Sequence, residues 1–186
     1  MATDGKIARA ELRLLRKLRA VRQFRPDPIP EAVLEDVLQV ARWTGSARNM
    51  QPWEFLVIRD RAMLRALGGL PGTAAHLAGA ALGIVIVLAG HPKLVPHETF
   101  DDGRLSERIM LAAAVHGVGA CIGWFTDEGT ADLKALLGIP AERLVRTAIS
   151  LGYADTATAP PGRANPGRKP LAALVHQERY GQPAAE

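Results

Sequence analysis

A short polar turn, wedged between two stretches that must both be buried, constrains this chain more than any other feature. Val33, Leu34, Val37, Leu38 and Ala41 recur three and four residues apart, the spacing of a helix with one apolar face. Pro30 is placed to open that helix, since the N–H it lacks has no partner in a first turn, and Gly45 lies just past its end. The chain then reads Gly-Ser-Ala-Arg-Asn-Met-Gln-Pro-Trp-Glu-Phe from Gly45 and runs into the apolar stretch Phe55-Leu56-Val57-Ile58 before Arg59-Asp60. A helix and a strand joined this tightly must share one core. The turn between them presents backbone N–H groups and short polar side chains at the edge of that core. Such a surface suits a flat ligand with polar edges better than it suits packing.

The remaining pattern predicts further layers. Residues 7–22 read as a helix, with Ile7, Leu14, Leu18 and Val21 on one side and Arg9, Arg13 and Arg16 on the other. Arg19 and Arg22 rotate toward the apolar side, where a charge needs a partner, and Arg25-Pro26-Asp27-Pro28 breaks the helix. Residues 54–59 form a strand, and 61–67 a short helix stopped by Gly68-Gly69 and Pro71. Leu82 to Leu88 is a buried strand, 90–100 a loop carrying His91 and His97, and Asp101 to His116 a helix with an acidic first turn and a Gly117-x-Gly119 exit. Ala120 to Phe125 and Val145 to Leu151 are further strands, separated by a short helix from Asp132 to Leu137. Residues 154–167 are a loop of Pro, Gly, Ala and Thr, and a tail from Pro170 to Gly181 has Leu171, Leu174 and Val175 as its apolar anchors. No internal repeat is present. Helices alternating with buried strands predict an α+β or α/β layered domain, although periodicity cannot order the strands.

Length and composition limit the alternatives. At 186 residues, 48% hydrophobic and 23% charged, the chain is expected to form one domain over residues 1–186, with 154–186 as its loop and tail. No apolar run approaches the roughly 20 residues that span a bilayer, and the first residues lack a signal peptide's apolar stretch. The single cysteine, Cys121, excludes an internal disulfide and fits a reducing compartment, so a cytoplasmic location is expected. The net charge of +4 and the pI near 9.6 raise nucleic acid as a partner. Dispersed arginines and only 5% aromatic residues argue against it, and an anionic small ligand explains the charge equally well. There is no Gly-x-Ser-x-Gly elbow and no Walker loop. His91 and His97 have no Cys or carboxylate cluster beside them, and His76, His116 and His176 stand alone in sequence, so no metal site is expected. Cys121 reads as core, while Asp102 and Glu107 read as helix-start residues explained by capping and dipole.

The order Ser46, Asn49, Gln51, Pro52, Trp53 resembles the Ser-x-x-Asn-x-Gln-Pro-Trp signature of the FMN-dependent nitroreductase family. Other segments resemble it as well. Leu18-Arg19-Ala20-Val21-Arg22-Gln23-Phe24 is similar to the family's Arg-x-Ser-x-Arg-x-Phe motif, with Arg22 and Phe24 matching and Leu18 and Ala20 standing where the motif has an Arg and a Ser. Gly117 to Trp124 resembles its Gly-rich turn into a strand, and His176-x-Glu178-Arg179-Tyr180-Gly181 its common ending. The resemblance covers roughly residues 12 to 181.

That resemblance implies a central mixed sheet flanked by helices, in an intertwined homodimer with two FMN sites at its interface and a tail that reaches the partner. It implies a cofactor site made of Arg19, Ala20, Arg22, Ser46, Asn49, Gln51, Ile122, Gly123, Trp124, Arg168 and Lys169. Arg22 would contact the flavin pyrimidine edge. Arg19, Arg168 and Lys169 would hold the phosphate, since Leu18 and Ala20 offer neither the guanidinium nor the hydroxyl of the family motif. Ser46, Asn49 and Gln51 would reach the ring from the opposite subunit, and Gly123 would let backbone N–H groups approach N5. Trp124 has two readings, a shelf under the ring and a core filler. No side chain is assigned a catalytic part, because the flavin carries the hydride. The activity implied is ping-pong hydride transfer from NADH or NADPH to nitroaromatics, quinones or other flat electron-poor acceptors. The alternatives are an FMN-storage protein of low turnover, and a deazaflavin or specialised-metabolite oxidoreductase. Residues 69–100 are short for a substrate lid, which implies an open pocket.

Overall fold

The computed structural model describes residues 12–157 and 167–182. A first helix, α1, occupies residues 12–17 and is followed by α2 (Glu31–Arg42), β1 (Trp53–Ile58), α3 (Arg61–Gly68), β2 (Leu82–Leu88), α4 (Val95–Val115), β3 (Gly119–Trp124), α5 (Asp127–Leu137) and β4 (Leu144–Gly152). The strands form one sheet in the order β1-β2-β4-β3, and every neighbouring pair is antiparallel. Among the described residues, the parallel component of the expected mixed sheet is one bridge from Ala20 to Ala120 on the outer edge of β3.

Each face of the sheet has its own core. On one face, α2 and α4 bring Leu34, Val37, Leu105 and Ile109 against Ile84, Ile86, Ile149 and Leu151. On the other, α3, α5 and the 75–79 turn bring Leu64, Leu77 and Leu133 against Val85, Val87 and Ala148. Burial on both faces explains why β2 is apolar throughout while β1, at the sheet edge, retains Glu54. Among the described residues no helix is long and apolar enough to cross a membrane.

Three boundaries differ from expectation. The first helix does not run to Arg22: its last i to i−4 bond joins Leu18 N–H to Leu14 O, and the chain then extends along the sheet edge. Val21 N–H donates to Ala120 O at 2.9 Å and Arg25 N–H to Tyr153 O at 2.8 Å, so strand partners replace helical ones. Glycines make this fit possible, since a Cβ on Gly119 or Gly152 would lie 2.7 Å from Val21 or Phe24. Second, α4 begins at Val95, so His97 is helical and the preceding loop is shorter than 90–100. Asp102 and Glu107 are therefore interior helix residues, and the first-turn acid is Glu98, whose two oxygens accept Gly90 N–H at 2.7 Å and His91 N–H at 3.1 Å. Third, α5 begins at Asp127 because the Thr126 side chain accepts Gly129 N–H as an N-cap. The predicted start of the first helix and most of the 154–167 loop lie outside the described residues.

Candidate functional site

The turn after α2 is built around left-handed backbone. Arg48, Asn49 and Gln51 have φ of 53°, 55° and 48°, conformations that only Asn among these residue types adopts readily. The turn closes on itself: Ser46 Oγ accepts Gln51 N–H at 2.9 Å, and Gln51 Nε2 donates to Asn49 O at 3.3 Å. From outside, Arg104 Nη1 donates to Gly45 O at 2.6 Å and Arg108 Nη1 to Trp43 O at 3.2 Å. Two arginines of α4 thus pin the polar turn against the first core. Concentrated strain of this kind, about 1–3 kcal/mol per residue, persists where surrounding contacts over-determine it, and such places are often functional. Clefts flank the turn, one of about 430 Å³ against Arg42 and Trp43 and one of about 550 Å³ against α4.

A second group gathers at the β3 edge. Arg19 and Arg22 lie exposed on the extended segment beside β3, with Ala20 between them bridged to Ala120. Neither arginine is on an apolar helix face as expected, because the helix has already ended. Arg19 Nη1 donates to the carbonyls of Arg16 and Leu18 at 2.8 and 2.7 Å. The charge of Arg22 acts on His76 and on Cys121. Burial, with help from Arg22, lowers the His76 pKa against the raising effect of the Ile122 backbone, whereas burial raises the Cys121 thiol against the Arg22 charge.

His76 is not alone in space. Its Nδ1 lies 2.7 Å from Ser150 Oγ, and that hydroxyl reaches Cys121 O at 3.4 Å. Gly123 borders this group, and its missing Cβ makes room for protein: a Cβ there would sit 2.7 Å from Ala74 Cβ and 3.1 Å from His76 Nε2. Ile122 packs against the first core. Trp124 is 51% exposed within one chain, so it does not fill the core of that chain. Its backbone is fixed by Thr73, which donates its N–H to Trp124 O at 2.7 Å and accepts Trp124 N–H at its Oγ1 at 2.9 Å. The Arg146 guanidinium lies 5.0 Å from its ring centroid.

Arg168 and Lys169 are exposed and precede a short turn at Leu171–Ala173. Among the described residues no hydrogen bond or ion pair joins them to either group. Nor do the two groups meet each other. Ser46, Asn49 and Gln51 lead into β1, whereas Arg22, Ile122 and Trp124 lie at β3, with β2 and β4 between. Three strand spacings make roughly 14 Å.

Several residues escaped the sequence reading. Arg104, Ser150 and the buried Asp102–Thr147 bond at 2.6 Å acquire meaning only through contacts 45 to 74 residues apart in sequence, and Phe100 through its place beside Arg104. Phe100 alone left a signal, an aromatic among the polar residues before Asp101. His116, also unpaired in sequence, lies 3.1 Å from Asp36, and His176 packs its ring on Tyr180 at 4.6 Å.

Comparison with known proteins adds an independent line. The model of the nitroreductase family matches residues 15–99. A candidate NADH dehydrogenase/NAD(P)H nitroreductase of Archaeoglobus fulgidus is 33% identical over 148 residues, covering 76% of this chain and 84% of its own. Nitroreductase NfnB of Mycolicibacterium smegmatis is 28% identical over 230 residues, covering 95% of this chain and 94% of its own. Among solved structures, an FMN-dependent nitroreductase from Clostridium difficile R20291 has a similar fold, with a TM-score of 0.75 at 23% identity over 90% of this chain and 98% of that one.

Proposed function

The chain belongs to the nitroreductase family, and from that membership we propose that it is a homodimeric, FMN-dependent oxidoreductase. It would pass hydride from NADH or NADPH to nitroaromatics, quinones or similar flat electron-poor acceptors. The whole chain would act as one domain in the cytoplasm, its tail serving the partner subunit. The observation that carries this reading is the division of the site: a polar turn of left-handed backbone at one edge of the sheet, and an exposed cationic segment beside β3 at the other. The two groups of one chain stand at opposite edges of the sheet, which favours a site shared between two chains. In two copies related by a twofold axis, the turn of one can face β3 of the other.

The residues present fit such a cofactor. FMN, when bound, would supply the hydride-accepting and hydride-donating chemistry, which no side chain of this site offers. Arg22 is an exposed, permanently charged donor suited to the pyrimidine edge. Arg19, with Arg168 and Lys169 from the tail, supplies cations for the phosphate, a task to which apolar Leu18 and Ala20 bring neither charge nor hydroxyl. Ser46, Asn49 and Gln51 contribute short donors and acceptors from the other subunit. Ile122 and Trp124 give the ring apolar surface. Gly123 keeps β3 close to Ala74 and His76, so its part is to seat the strand.

The absorption spectrum of the purified protein tests the proposal. Flavin bands, about one FMN per chain, and rapid bleaching by NADH or NADPH are expected. A colourless protein that cannot take up added FMN would refute it, and a yellow protein that pyridine nucleotides fail to bleach would point to flavin storage.

A further inference from the structure

The cleft between the polar turn and α4 has a composition that selects among acceptors. It lies between Ser46 and Ala47 on one side and His97, Phe100 and Arg104 of α4 on the other. Its volume of about 550 Å³ is within the range of small-molecule sites. Phe100 is 68% exposed on a helix whose opposite side carries the buried core residues Leu105 and Ile109, so its ring makes no contribution to that core. Arg104, one turn on, lies with its guanidinium 5.7 Å from the Phe100 ring centroid. Its plane is held by the bond from Nη1 to Gly45 O and by Asp101 Oδ1 at 3.5 Å. Burial pushes the Asp101 carboxyl up, while the Arg104 charge and hydrogen bond oppose that shift. His97 borders the same cleft. An exposed aromatic ring with a fixed guanidinium beside it is a shelf for a flat anion.

We propose that this cleft is the acceptor subsite and that it selects flat aromatic acceptors bearing an anionic substituent, a carboxylate or sulfonate, with the ring on Phe100 and the anion at Arg104. This rests on the flavin-enzyme reading above, because Ser46 joins the cleft to the cofactor turn.

The test pairs 4-nitrobenzoate with 4-nitrobenzamide on the FMN-loaded, full-length protein. The amide withdraws electrons more strongly, so a preference for the carboxylate cannot come from ring reactivity. A kcat/KM about tenfold higher for the carboxylate is expected, the size of one partly exposed charged hydrogen bond. The ratio should fall toward one in Arg104→Gln and at high salt, with Arg104→Lys retaining part of it. Phe100→Ala should weaken both substrates together and keep the ratio. Binding of benzoate, followed by saturation-transfer NMR, reads the subsite without turnover and should be lost in Arg104→Gln and Phe100→Ala. Flavin content and melting temperature of each variant show whether removing the Gly45 bond has disturbed the turn. A yellow protein that reduces both substrates equally, or one in which Arg104→Gln raises KM for NADPH but not for 4-nitrobenzoate, overturns this inference and leaves the flavin reading standing. A colourless protein refutes the flavin reading, and benzoate binding that survives Arg104→Gln overturns the subsite even then.

Discussion

At the scale of single residues, chemistry follows from what each side chain can reach. Arg22 is the proposed partner of the flavin pyrimidine edge, where negative charge develops on reduction. A charged hydrogen bond contributes about 1.5–3 kcal/mol, and only the part that differs between redox states moves the potential. With 30 mV corresponding to roughly 1.4 kcal/mol for two electrons, Arg22→Ala should lower the potential by some tens of millivolts and slow reduction by NADPH. Arg19→Ala and Lys169→Ala should weaken FMN binding and leave the potential of bound flavin nearly unchanged. Spectroelectrochemical titration separates these outcomes, and loss of FMN from Arg22→Ala at constant potential would make Arg22 a phosphate ligand instead. Asp102 makes a different prediction. Burial raises its pKa, against the Thr147 hydrogen bond and the Arg146 charge, so the fold holds this proton above the unfolded value of about 3.9. Its contribution to stability is complete below that value and is lost as pH rises through the folded pKa. Asp102→Asn keeps an acceptor for Thr147 and cannot ionise. Its melting temperature should therefore exceed that of the parent by a few degrees at pH 7, and the gap should close toward pH 4. A gap independent of pH would mean that Asp102 does not titrate in this window.

At the scale of elements, the two ends of α4 show what local pattern records and what it omits. Run length located β2 to the residue, and apolar periodicity placed α2, whose end at Arg42 comes two residues before the one that Gly45 suggested. The start of α4 lies six residues earlier than expected, at Val95, and its first-turn acid, Glu98, is engaged with a loop instead of with solvent. Glu98 is buried and spans Gly90 and His91, and Gly90 is itself left-handed at φ 76°, in a place where a Cβ would overlap Glu142 O. Glu98→Ala leaves two backbone donors without their carboxylate and should cost about 2–3 kcal/mol in urea unfolding. Glu98→Gln, which keeps one good acceptor, should cost less than half of that. Equal losses would show that packing, and not the hydrogen bonds, holds the loop. The segment at 18–24 illustrates the opposite error. Its residues have acceptable helix propensity, yet glycine notches at Gly119 and Gly152 admit Val21 and Phe24 and draw the segment onto the sheet.

At the scale of the molecule, the tail carries the strongest test of assembly. Leu171 and Leu174 are 74% and 56% exposed within one chain, and among the described residues no strand pairs with the outer edge of β1. Unpaired strand edges and exposed apolar side chains both invite a second chain. Deleting residues 170–186 should abolish dimerisation and FMN retention together, as read by light scattering and by absorbance. A monomer that still holds flavin tightly would refute the shared site.

The polar turn, the apolar periods of α2 and β2 and the basic residues near each end were legible in the sequence, because burial and turn chemistry leave their mark residue by residue. The order of the strands was not, since every strand offers the same backbone donors and acceptors and pairing is chosen by contacts far apart in the chain. That order set Ser46 and Arg22 at opposite edges of the sheet and brought His76 to Ser150 and Arg104 to Gly45. Residue types and their spacing determined which groups were available for chemistry. Tertiary structure alone decided which of them meet, because side-chain contact depends on packing between elements that no local period encodes.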